Sequence, residues 1–148
     1  MANRVRVRVE GLAEMDRALG ELPKATGRNV LRRVGRARLE PIIEDAAKRA
    51  PRLFGNLNDS ITVSTKRPRR HRKESEVEVY GGPTSLPQAH LQEFGTRHHG
   101  PQPFMRPAWD AGKDELLEGL AEDLANEIEK AAQRIARKQA RLIAKAGG

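Results

Sequence analysis

The closing segment of this 148-residue chain restricts the fold more than any other part of it. From Ala108 onward no proline occurs, and Leu117, Leu120, Leu124, Ile128, Ala131, Ile135 and Leu142 recur at steps of three, four and seven. That spacing lines one face of an α-helix. A helix of more than thirty residues is about 45 Å long at ~1.5 Å per residue, longer than the single modest core a chain of this size can build. Its charges segregate as well. Asp114, Glu115, Glu118, Glu122, Asp123, Glu127 and Glu129 precede Lys130, Arg134, Arg137, Lys138, Arg141 and Lys145, an order that complements the helix macrodipole.

The rest of the chain reads as mixed elements. Arg4 to Val9 alternate Arg and Val, which predicts a half-buried strand ended by Gly11. Leu12, Met15, Leu19 and Leu22 predict a short helix up to Pro23, and apolar positions from Ala25 to Ala50 predict a long one with an arginine-rich outer face. Pro41 lacks a backbone donor, so a kink or a break into two helices is expected within two residues of Glu40. Pro51 to Asn58 reads as a loop. Ser60 to Thr65 reads as a strand, and Val77 and Val79, with Glu76 and Glu78 facing outward, as its partner. Between them Lys66, Arg67, Arg69, Arg70, Arg72 and Lys73 form a basic tip, while 81–90 and 95–107 have the Gly, Pro and Ser density of loops or arms. The fold class expected is α+β: a small antiparallel sheet with a β-hairpin packed on a long kinked helix, plus a long C-terminal helix. The expected organisation is a core over 1–112, with hairpin 60–80 and arm 81–107, followed by a helix over 113–148.

Composition removes most chemistry. There is no cysteine, hence no disulfide or thiolate ligand, and aromatic residues are 3% of the chain, which disfavours a large enclosed substrate pocket. Of the four histidines only His98 and His99 are adjacent, and neighbours point in different directions, so no metal or other cofactor is expected. No phosphate loop or nucleophile elbow occurs, and crowded carboxylates such as Glu118 and Glu122 read as a solvated helix face. The expectation is no catalysis. With neither a signal peptide nor a membrane-length apolar run, the chain reads as soluble and made in the cytoplasm. The net charge of +8 is regional: residues 1–73 hold 19 Lys or Arg against 8 Asp or Glu. Six charges in the eight residues 66–73 suit contact with a phosphate backbone or an acidic partner, and with no aromatic between them to stack on bases and no base-reading motif, any such contact is sequence-independent.

Two clusters carry a resemblance: Ala50, Pro51, Gly55, Leu57, Ser60 and Ile61, then Glu93, Phe94, Gly95 and Thr96 with Pro103, Phe104, Met105, Arg106, Pro107 and Ala108. Together they resemble the head–tail joining family of long-tailed phages, neck or tail-completion proteins typified by gene product ten of phage HK-ninety-seven. The likeness extends over nearly the whole chain. It implies a virion subunit, made in the host cytoplasm, that forms a ring in the neck or at the top of the tail and joins tail to head. The implied partners are sibling copies, a hexamer being favoured, together with other neck, head-closure and tail-tube proteins; packaged DNA is a possible non-specific contact and no membrane is involved. Glu93, Phe94, Gly95, Thr96, Phe104, Met105, Arg106 and Pro107 are the candidate intersubunit residues. Two readings of them stand open: they grip a neighbouring copy, or they tuck a loop onto their own core. On the first, Phe104→Ala and Arg106→Ala weaken assembly more than folding. The alternative function is a sequence-independent nucleic-acid-binding protein acting through residues 66–73.

Overall fold

A computed structural model describes residues 12–52, 56–84 and 88–147. The strand expected over Arg4–Val9, and the turn residues Phe54 and Gly55, lie outside the described residues. In chain order the elements are α1 (Leu12–Glu21), α2 (Lys24–Arg49), α3 (Asn56–Ser60), β1 (Ile61–Ser64), β2 (Tyr80–Pro83), α4 (Gln88–Phe94) and α5 (Met105–Ala146). The fold is α+β, a two-stranded antiparallel hairpin packed on α2 with α5 beside it.

α2 and α5 run antiparallel and bury their apolar stripes against each other at two places. Near the start of α5, Ile42, Ile43, Ala46 and Ala50 of α2 pack with Phe104 and Ala108, and the hairpin and α4 add Ile61 and Ala89. Toward the other end of α2, Val30 and Val34 meet Leu124, Ile128 and Ala131, with Leu22 after α1 closing the cluster. Two glycines let the helices approach closely. A Cβ on Gly112 would lie 2.6 Å from Ile42 Cγ1, and one on Gly119 would collide with the Arg38 guanidinium. Arg38 thus crosses α5 between the two clusters, where its Nε and Nη2 donate to Asp123 at 2.5 and 2.9 Å. This fork-to-carboxylate pair pushes the Asp123 carboxyl below its ordinary value, burial opposing it.

Three local expectations need correction. Of the two outcomes expected at Pro41, the break into two helices is excluded, since α2 is one continuous helix through that residue. Pro41 and Ala37 are both exposed, so the carbonyl that loses its partner lies on the solvent side. The residues after Pro51 are partly helical, with α3 ending directly in β1; Asn58 turns back so that its amide donates to Ala47 O at 2.5 Å and Ala50 O at 3.3 Å, closing the end of α2. The second strand is Tyr80–Pro83, paired Ile61 to Pro83 and Ser64 to Tyr80, rather than the Val77–Val79 segment. Glu78 explains the shift. Instead of facing outward, its carboxylate accepts the N–H of Glu74 at 2.7 Å and of Ser75 at 3.0 Å, together with the Tyr80 hydroxyl. These bonds, the Tyr80 hydroxyl first, hold its pKa at about 2 against the opposing effect of burial. The chain before Tyr80 is wound around that carboxylate and is not extended. Pairing starts at Tyr80, where Gly81 leaves room for Ile43: a Cβ there would sit 2.5 Å from Ile43 Cδ1.

Candidate functional site

The segment expected as an arm over 81–107 contains the end of β2, all of α4 and the start of α5. Its two motifs are joined by one side chain. Glu93, in the last turn of α4, extends its carboxylate to the first turn of α5, where Oε2 accepts the N–H of Phe104 at 2.8 Å and of Met105 at 3.0 Å, and Oε1 accepts that of Arg106 at 3.0 Å. A helix start exposes four N–H positions that no helical carbonyl can satisfy. Here three go to Glu93 and the fourth residue, Pro107, has no N–H. Phe104, at the N-cap position, makes no side-chain cap of its own, so the carboxylate eleven residues earlier supplies it. Burial raises the Glu93 pKa, but the three N–H donors and nearby Arg106 outweigh it, and the carboxyl ends below its ordinary value.

The other motif residues shape the return between the helices. Gly95 ends α4 with φ +77°, donating to Leu91 O at 2.8 Å. This is the left-handed C-terminal position that favours glycine, and a Cβ there would lie 2.8 Å from Pro101 N. Thr96 Oγ1 accepts the N–H of His98 and of His99 at 3.2 and 3.0 Å, and the Thr96 N–H returns to His99 O at 2.9 Å. Gln102 N–H then donates to Gln92 O at 2.8 Å, tying the loop back onto α4.

Of the two readings left open for this motif, Phe104 follows the second, tucked onto its own core, against the expectation that its removal weakens assembly more than folding. Phe104 is 1% exposed and is among the largest fully buried side chains, packed with Ile42, Ala46 and Ala108. It is core, because capping by Glu93 draws the start of α5 down onto α2. Met105 packs partly buried against the same cluster, whereas Arg106 is exposed. What the junction presents outward is Phe94, 68% exposed, beside Leu91 and Trp109 at 48% and 46%. Phe94 packs against His90 with ring centroids 4.8 Å apart and ring planes tilted by 50°. A 630 Å³ open groove runs between Pro83, Ala89, Phe94, Met105 and Trp109. Sequence reasoning missed Trp109; its available signal was a lone tryptophan one position off the apolar stripe. It missed Ile143 too, which is 72% exposed beside Leu142 of the apolar stripe at 58%.

The basic residues lie elsewhere. Lys66, Arg67, Arg69, Arg70, Arg72 and Lys73 are all exposed on the 65–79 loop between the strands. That loop leans on the N-terminal part of α2, where Glu76 stands 3.6 Å from Lys24 and 3.7 Å from Arg28. A second tie is the Glu78 knot, which also takes His71 Nε2 at 3.2 Å. The six cations therefore decorate an anchored loop and are separate from the Glu93 junction, which sits at the opposite end of α2. Among the described residues no group of His, Asp or Glu side chains is placed to hold a metal ion, and no helix is long and apolar enough to cross a membrane.

A family model described as "Bacteriophage HK97-gp10, putative tail-component" matches residues 13–95. The match runs from α1 to Gly95 and so includes Glu93, while Pro103–Ala108 falls outside it; the agreement covers less of the chain than the motif resemblance. No curated protein and no solved structure is significantly similar to the chain. With more than half its length matched, and with the α+β hairpin-and-helix fold in place, the chain belongs to the HK97-gp10-like family of phage tail components.

Proposed function

We propose that this chain is a non-enzymatic structural subunit which assembles into a ring, six-fold by preference, in the neck or at the top of the tail of a long-tailed phage, completing the tail and joining it to the head. The observation that carries the reading is α5: in a tail-component chain, a 42-residue helix whose buried positions end at Ala131, with Ile135 half-buried on the same cluster, continues for a further stretch that belongs to no core cluster of the described residues. Ring subunits need two different surfaces that close by rotation. The Phe94–Trp109 groove and the overhanging helix are two such surfaces. Within the junction, Glu93, Gly95 and Thr96 act by holding its shape, and Phe94, Met105, Arg106 and Pro107 line or border the surface presented to a partner. The partners proposed are sibling copies and adjoining neck, head-closure and tail-tube proteins.

Imaging of virions carrying a tagged copy of this chain tests the reading. The expected result is density for the tag in a ring between head and tail, with gene deletion yielding filled heads and separate tails. Label along the tail shaft or absent from particles, with normal joining in the deletion, refutes it. The exposed cations at 66–73 favour a second reading, a sequence-independent contact with packaged DNA or an acidic partner. Charge-neutral replacement of all six is expected to flatten the salt dependence of DNA binding; an unchanged slope removes this reading.

A further inference from the structure

The last part of α5 has the makings of an interface and no partner among the described residues of its own fold. The stripe that is buried at Leu124, Ile128 and Ala131 and half-buried at Ile135 continues in register to Leu142, which is 58% exposed, with Ile143 beside it at 72%. Around them residues 132–147 carry five cations, Arg134, Arg137, Lys138, Arg141 and Lys145, and no anion. The first half of the same helix has the opposite character. Asp114, Glu115, Glu118 and Glu122 are exposed and make no ion pair with a described residue. At its start stand Trp109 and, across the junction, Phe94 and Leu91, all exposed.

The tip and the first half of α5 are opposite in charge and each exposes apolar side chains, yet they cannot meet within one chain. Trp109 and Leu142 lie on one continuous helix, about 50 Å apart at ~1.5 Å per residue. We infer that the occupant of the Phe94–Trp109 groove is the basic tip of α5 from a second copy: Leu142 and Ile143 seat on the exposed aromatics, and the tip's cations run toward the acidic first half of the neighbour's α5. The contact uses unlike surfaces, so each copy offers a free tip and a free groove and the arrangement propagates until it closes. This identifies the contact within the ring proposed above and rests on that reading. A solvated basic tail that merely complements the helix dipole would need neither Leu142 nor Ile143.

The absence of cysteine allows a direct test. The full chain with Trp109→Cys and Leu142→Cys is oxidised under native conditions and resolved on a denaturing non-reducing gel, beside each single variant and a control pair, Arg72→Cys with Leu142→Cys. A disulfide needs Cα atoms within about 7 Å, so no bridge can form inside one copy. The expected result is a ladder of dimers, trimers and larger species, at least fivefold stronger than the control and reduced by high salt. A ladder no stronger than the control overturns the inference. So does a product that stops at the dimer, which means mutual antiparallel pairing of two α5 helices. Sedimentation of the unmodified chain separates this from the broader reading: an oligomer without the ladder leaves the ring standing and removes this contact, whereas a monomer without the ladder removes both.

Discussion

The two halves of α5 carry the same apolar repeat and meet opposite surroundings. Up to Ala131 the stripe faces α2, and glycines at 112 and 119 let that helix come close enough for Ile42 and Arg38 to lie against it. Beyond Ile135 the repeat continues at Leu142, but α2 has begun at Lys24 and α1 lies against the cluster below, so nothing described covers it. Periodicity therefore states that a face wants burial and is silent about which surface buries it. Removing side chains from the two halves should separate the half that holds the monomer together from the half that does not.

The largest effect belongs to the packed half. Phe104→Ala empties a fully buried site under the start of α5 and should cost about 3–5 kcal/mol in denaturant unfolding; a loss under about 1 kcal/mol would show that the junction is not part of the core. Next comes overpacking. Gly112→Val pushes a side chain into the space of Ile42 and should cost about 1–3 kcal/mol, read as a lower melting temperature.

Glu93→Gln keeps the shape of the cap and removes its charge, for an expected loss of about 1 kcal/mol at neutral pH. The sign with pH follows from its lowered pKa. A carboxyl depressed below its ordinary 4.5 lends stability that is fully present above that value and is lost as pH falls through its lower folded pKa. The gap between wild type and variant should close in acid; a gap that widens there would mean that Glu93 is not the charged cap. The smallest effect is expected at the bare end, where Leu142→Ala with Ile143→Ala should change unfolding of the dilute chain by less than about 0.5 kcal/mol. A loss comparable to that of Phe104→Ala would place the tip in the monomer's own core and dissolve the contrast between the halves.

Much of the architecture was legible because it rests on local periodicity: the stripes of α1, α2 and α5, the break at Pro23, the first strand of the hairpin. Errors gathered where a distant group decides. Val77 and Val79 alternate as a strand should, yet Glu78 winds the loop around its carboxylate, and pairing begins at Tyr80. Pro41 reads as a breaker until the helix is seen to turn that residue toward water. In the candidate site, Gly95 announced its turn, since a positive φ is a property glycine states for itself. For Phe104 the sequence left grip and core open, because proline on one side and a charged neighbour two residues on suit an exposed arm as well as a tucked loop until a carboxylate eleven residues upstream is placed at the helix start.

From residue order alone came the elements, their amphipathic faces, the regional charge and the family motifs, because backbone preference and side-chain spacing act over a few residues at a time. Only the folded chain decided that Glu93 caps α5, that Phe104 is core while Phe94 and Trp109 face outward, and where along α5 the burial of the stripe ends. Each of those depends on where a second segment lies, and burial is a property of pairs of surfaces that no single stretch of sequence contains.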